Sequence, residues 1–93
     1  MDIKHNKTES KGRFYLIDNG KEVGEMTYSI AGNNKIIIDH TEVTDDYEGQ
    51  GLAKKLVMEI VEYARENKIK ILPLCPYAKK VLNHDNEFKD VLV

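Results

Sequence analysis

Glu48-Gly49-Gln50-Gly51-Leu52-Ala53 stands where one kind of sequence pattern gives way to another. Before it runs Lys35-Ile36-Ile37-Ile38-Asp39-His40-Thr41-Glu42-Val43, whose β-branched residues favour a strand. After it, Leu52, Ala53, Leu56, Val57, Ile60, Val61 and Ala64 recur at helical spacing and make one apolar stripe, with Lys54, Lys55, Glu59, Glu62 and Arg65 on the other face. Two glycines between a strand and a helix let backbone approach a ligand, and the first N–H groups of the helix can hold phosphate oxygens. The same glycines also suit a tight turn with no ligand, and an isolated Gly-x-Gly does not separate the two readings.

Toward the N-terminus, Asn19-Gly20 lies between Arg13-Phe14-Tyr15-Leu16-Ile17 and Val23-Gly24-Glu25-Met26-Thr27-Tyr28, a hairpin signal because both turn residues tolerate positive φ. A second turn, Ala31-Gly32-Asn33-Asn34, leads into the strand from Lys35, which pairs antiparallel with the one before it. Ile36 to Ile38 is apolar on both faces and belongs inside a sheet. The polar N-terminal stretch adds a short edge strand before Lys11-Gly12.

Toward the C-terminus the helix ends at Asn67-Lys68, and Ile69-Lys70-Ile71-Leu72-Pro73-Leu74 reads as a short strand whose proline favours an edge or splayed position. Pro76 suits the first position of a second helix, which puts Cys75 at its N-cap and Tyr77, Ala78, Val81 and Leu82 at helical spacing. One more helical turn follows Asn83-His84-Asp85-Asn86. The expected fold class is α+β, helices on a mostly antiparallel sheet, with one strand-helix-strand unit from Val43 to Leu74 and a C-terminal helix.

A chain of 93 residues has room for one small core, so a single domain over residues 1–93 is expected. Hydrophobic residues at 41% and charged residues at 32% suit a folded globular protein. The 16 acidic and 14 basic residues are interspersed, for a net charge of −2, without the basic excess that nucleic-acid binding leaves. The start has no apolar segment of signal-peptide type and no later run approaches a membrane span, so a cytoplasmic location and no membrane partner are expected. Cys75 is the one cysteine and makes no internal disulfide, leaving a packed thiol or a reactive one. His5 and His84 lie in polar segments, no set of ligating residues has a recognised metal spacing, and no metal is expected.

Two phosphate-binding motifs fail at the glycine turn. A P-loop needs a longer gap between its glycines and then Lys-Ser/Thr. A dinucleotide fingerprint needs a glycine where Lys54 stands and an acidic residue about 20 positions later. Glu48-Gly49-Gln50-Gly51-Leu52-Ala53 instead resembles the Gln/Arg-x-x-Gly-x-Gly/Ala motif of the GNAT superfamily of acyl-CoA N-acyltransferases. His40-Thr41-Glu42-Val43, Gly49-Gln50-Gly51-Leu52-Ala53 and Cys75-Pro76-Tyr77, in that order, are similar to the motifs of short GNAT-like proteins. The resemblance runs from Asn19-Gly20 to Leu82. It implies a minimal GNAT-like fold in which acetyl-CoA or coenzyme A binds, pantetheine between splayed parallel strands ending at Val43 and Leu74 and pyrophosphate on the turn. Val43, Gly49, Gln50, Gly51, Leu52, Ala53 and Lys54 are the implied cofactor contacts. Glu48 departs from the family pattern by putting a carboxylate where a phosphate partner is usual, and Lys54 or Lys55 could compensate.

Amide formation from a thioester needs a base for the amine, donors for the oxyanion and an acid for the leaving thiolate. His40 and Glu42 alternate on one strand, and either could be the base or a plain structural residue, with the imidazole ranked first because it titrates near neutrality. Tyr77 falls where the resemblance implies an acid for the sulfur, or it packs in the core. Cys75 at a helix start could carry thiolate and accept an acyl group, or serve as a small buried hydrophobe. The expected activity is acetyl transfer from acetyl-CoA to an unidentified amine. The alternatives are a non-catalytic module that binds or senses CoA, and an interaction domain whose glycines only turn the chain.

Overall fold

Asn19 and Gly20 adopt left-handed backbone angles, φ 53° and 78°, and the strands on either side close directly, Asp18 opposite Lys21. The structure is a computed structural model describing residues 1–84 and 86–93. The elements in order are β1 (Asp2–Lys7), β2 (Lys11–Asp18), β3 (Lys21–Ile30), β4 (Lys35–Val43), α1 (Leu52–Asn67), β5 (Lys70–Pro73) and α2 (Pro76–Leu82). Short 3-10 turns occupy Asp45–Tyr47 and Asn86–Phe88. The sheet order is β1-β2-β3-β4-β5, antiparallel except for the parallel pair β4 and β5 that α1 connects. The α+β class, the edge strand and both helices agree with the sequence reading.

One sheet face carries the core. Phe14, Leu16, Met26, Tyr28, Ile36 and Ile38 meet Leu56, Val57, Ile60 and Val61 of α1 and Ala78 and Leu82 of α2, all buried. Each fully buried aliphatic side chain contributes about 1.5–3 kcal/mol. Alternation sends Tyr15, Glu25, Thr27, His40 and Glu42 to the opposite face, which no helix covers. There Arg13 lies 4.0 Å over the Tyr15 ring and pairs with Glu22 at 2.6 Å and Glu25 at 2.5 Å.

Two ends differ from expectation. The second strand of the parallel pair begins at Lys70 because the Ile69 amide closes the end of α1 on the Ala64 carbonyl, 2.8 Å, with Lys68 left-handed at φ 56°. It stops at Pro73 because the Leu74 and Cys75 amides both donate to the Ile38 carbonyl, 3.1 Å each, and turn the chain into α2. The C-terminal tail then covers the outer edge of β5, with the Ile71 amide on the Val91 carbonyl and the Val93 amide on the Ile71 carbonyl. The expected final helical turn is the 3-10 turn at Asn86–Phe88; Asp85, in the segment preceding it, lies outside the described residues. No helix among the described residues is long and apolar enough to cross a membrane.

Candidate functional site

The parallel strands part at Ile38. Pairing of β4 with β5 ends at Ile38 opposite Pro73, while β4 continues to Val43 paired with β3 alone. At the same level its pairing with β3 slips, Tyr28 facing Ile38 and Thr27 facing His40, so Asp39 is the extra residue of a β-bulge. Beyond the bulge Thr41 faces the helix side of the sheet and His40 and Glu42 the open side.

The gap leads into a groove of about 550 Å³. Thr41, Glu42 and Val43 form one wall, Tyr77 the other, and Gly49, Gly51, Leu52 and Ala53 the end. Gly49 and Gly51 have φ 82° and 76°, and nothing lies within 4 Å of where a Cβ would stand on either. Conformation, not crowding, therefore requires glycine there. The first helical hydrogen bond runs from the Lys55 amide to the Gly51 carbonyl, 3.1 Å, so the amides of Leu52, Ala53 and Lys54 have no acceptor within α1. Leu52 itself is buried in the core, whereas Ala53, read from sequence as part of the same stripe, is half-buried against the groove. Gln50 is exposed at the turn and does not line the groove. The Lys54 side chain lines a neighbouring cleft instead.

Cys75 is the N-cap of α2, 4% exposed, with its sulfur 3.5 Å from the Thr41 hydroxyl. Burial alone would raise its pKa; the Thr41 hydroxyl and the backbone amides of Ala78, Tyr77 and Thr41 outweigh burial and bring the thiol below its ordinary value. Those amides face the sulfur without closing a capping hydrogen bond. Tyr77 is 37% exposed, not the core residue that packing alone would make it, and burial of its hydroxyl raises its pKa. His40 Nε2 and Glu42 Oε2 are 3.4 Å apart with side chains 60% and 67% exposed. Of the two, only Glu42 borders the groove. It also borders a second depression on the open face, with Glu22, Glu25 and Asp45.

The structure thus brings Val43, Gly49, Gly51, Leu52, Ala53, Glu42 and Tyr77 to one groove with Cys75 beside it, and leaves His40, Gln50 and Lys54 outside its lining. Thr41 was not singled out from sequence; alternation separates it from His40 and Glu42, but the bulge at Asp39 decides which of them faces the helices, and no sequence signal marks that bulge. No grouping of three or more potential metal ligands occurs among the described residues.

A mostly antiparallel sheet that parts at one parallel pair beside a glycine turn and helix is the GNAT-like acetyltransferase fold. Residues 13–91 match the model of the GCN5-related N-acetyl-transferase family, and the chain belongs to that family. A GCN5-like protein from Staphylococcus aureus, solved by NMR, is 42% identical, with TM-score 0.74 over 99% of this chain and 87% of that one. Human protein NATD1 is 30% identical over 60 residues, 64% of this chain and 53% of its own length, so the match spans about half of that relative. A Bacillus anthracis str. Ames chain crystallised with acetyl coenzyme A shares the fold at TM-score 0.61 and 18% identity, over 71% of this chain and 38% of that one.

Proposed function

We propose that the protein is an N-acetyltransferase that moves the acetyl group of acetyl-CoA to an amine. The observation that carries this reading is the continuity of the strand gap at Ile38 with the Gly49–Gly51 turn in one groove, which suits an extended pantetheine and a pyrophosphate at its end. Family membership and the acetyl-CoA held by the same fold in the Bacillus anthracis chain support the choice of donor.

In the proposed reaction the amine nitrogen attacks the acetyl carbonyl carbon from the open face of the sheet. Glu42 borders both the groove and the open face, so it takes the ammonium proton, with His40 beside it at 3.4 Å as the alternative base. The carbon–sulfur bond then breaks and the CoA thiolate takes the proton of the Tyr77 hydroxyl, a phenol that is protonated near neutral pH at its ordinary pKa and that burial pushes further up. Proton exchange with solvent restores Glu42 and Tyr77. A covalent branch is supported by Cys75 beside Thr41 of the groove wall and by its lowered thiol pKa: Cys75 thiolate attacks the acetyl carbon, CoA leaves as the thiolate and is protonated by Tyr77, and the amine then displaces the Cys75 sulfur as thiolate while Glu42 takes the amine's proton.

Turnover with a panel of amines and polyamines tests the enzyme reading. CoA release above the no-acceptor rate is expected for at least one acceptor; if CoA binds saturably and no acceptor accelerates release, a non-catalytic CoA-binding module is the better description. Intact mass after incubation with acetyl-CoA tests the covalent branch, and an acetyl adduct that persists in Cys75→Ser rules out Cys75 as its site.

A further inference from the structure

The open face of the sheet holds a cavity of about 540 Å³ that spans β1 to β4. Two rows of facing residues on β2 and β3 line it, Arg13 with Thr27 and Lys11 with Ser29. Its wall on β4 is Asp39, the bulge residue directly after Ile38, where the parallel strands part. The Ser29 hydroxyl donates to Asp39 Oδ2 at 2.7 Å, and Oδ1 has no hydrogen-bond partner among the described residues. The opposite end is the connection from β1 to β2, which adds Lys7 and Thr8. That turn is fixed by the Lys11 amide on Thr8 Oγ1, 3.2 Å, and the Thr8 amide on the Lys11 carbonyl, 2.7 Å. Arg13 is held by Glu22 and Glu25, whereas neither Lys7 nor Lys11 pairs with a carboxylate among the described residues. Charge on the open face therefore runs one way: Glu22, Glu25, Glu42 and Asp45 stand beside the groove, Asp39 at the inner wall of the cavity, and the two unpaired lysines at its far end.

We propose that this cavity seats the acceptor, and that the acceptor is a small amine with a carboxylate at its far end, an assignment that rests on the acetyl-transfer reading of the groove. The ammonium end lies over Asp39, on the way to Glu42 and the thioester, and the carboxylate end lies at Lys7 and Lys11. Lys11 and Asp39 are two strands apart, about 4.8 Å each, and offset by two residues, about 3.4 Å each, so their Cα atoms stand about 12 Å apart. The two side chains take up part of that span, which leaves room for an ω-amino acid of a few methylenes. The volume falls within the range of small-molecule sites, about 300–1,000 Å³. A diamine, cationic at both ends, meets like charge at the lysines and is disfavoured.

Release of CoA from acetyl-CoA is measured with β-alanine, γ-aminobutyrate and ε-aminocaproate, with their carboxamides, and with diamines of matching length. At the best length the carboxylate should exceed its carboxamide in kcat/KM by at least about fivefold, chiefly through KM, and exceed the diamine by more. Lys7→Met/Lys11→Met should bring carboxylate and carboxamide within about twofold of each other, while Lys21→Met, the same charge change outside the cavity, should keep the preference. Asp39→Asn should raise KM for every amine and leave CoA affinity in calorimetry unchanged. All four residues are exposed, and circular dichroism with urea unfolding verifies that the variants fold. A smaller preference at every length, a preference that survives the double lysine substitution, or an unchanged KM in Asp39→Asn overturns the assignment, and the acetyl-transfer reading stands as long as some amine accelerates CoA release. If no amine of any kind accelerates release, the acetyl-transfer reading fails, and the assignment with it.

Discussion

Replacing Gly12 by alanine tests how β2 and β3 pack around Tyr28. A Cβ on Gly12 would stand 2.2 Å from Tyr28 Cζ and 2.3 Å from its hydroxyl oxygen, far inside van der Waals contact. The ring has little freedom to retreat: Tyr28 is fully buried, its hydroxyl is 2.6 Å from His5 Nε2, and Phe14 and Tyr63 flank it with centroids at 6.0 and 6.3 Å. Overpacking of this kind costs about 1–3 kcal/mol. If the ring moves, the His5 contact breaks, and a buried polar group without its partner costs about 1–3 kcal/mol more. The expected loss is about 4 kcal/mol from a total that for small domains is of order 5–15 kcal/mol. Gly20→Ala is the reference: its φ is 78° with open space around it, so only the backbone conformation is penalised, about 1–2 kcal/mol. Urea unfolding of both variants gives the comparison, with unchanged m-values required for it to stand. A Gly12→Ala loss no larger than that of Gly20→Ala would refute the packing account.

Gly51→Ala should cost about 1–2 kcal/mol from its φ of 76° and meet no steric contact, so it stays folded, and CoA affinity should fall at least about tenfold as the turn amides shift; unchanged affinity in calorimetry counts against the turn as the pyrophosphate seat. Burial, and secondarily Lys7, lowers the His5 pKa, so the folded state binds its proton less readily than the unfolded chain does. Stability should therefore fall as pH drops through about 6.5 toward the lower folded value, and rise again with pH; urea midpoints from pH 7 to 5.5 should show this component in the parent and lack it in His5→Asn. Tyr77→Phe should lower kcat about 100-fold with KM for acetyl-CoA little changed, and a decrease under about threefold would remove Tyr77 as the acid.

The backbone plan was legible because local chemistry and tertiary structure agree. Asn19-Gly20 forces its turn, the α1 stripe has one solution on one sheet face, and Pro76 starts α2 with Cys75 before it. The limits of β5 were not legible, since they depend on which partner takes each amide: Ile69 is captured by α1, and Leu74 and Cys75 by a single carbonyl. The tail at Val91 and Val93 was hidden for the same reason, being fixed by distant Ile71. Of the motif residues, Gly49, Gly51, Leu52 and Ala53 line the groove and Gln50 does not, and the separation of His40 and Lys54 from the groove depended on a one-residue bulge and a helix rotation that no motif encodes.

That bulge explains why the gap opens where it does. Pro73 lacks an N–H, but alternation from Ile71, whose amide serves the outer edge, puts the missing donor on the outside, so proline cannot be what ends pairing with β4. On the inner side the Ile38 carbonyl takes both available amides, and Asp39 re-aims β4 in the next step. The result is a strand from His40 to Val43 with no β5 partner, beside a thiol that Thr41 contacts. An unpaired strand edge inside a groove favours a ligand with its own amides, and pantetheine has two in an extended chain. The same backbone event thus makes the gap, faces Thr41 toward Cys75 and turns Glu42 to the open face, which is why donor, thiol and base candidates meet at one level of the sheet.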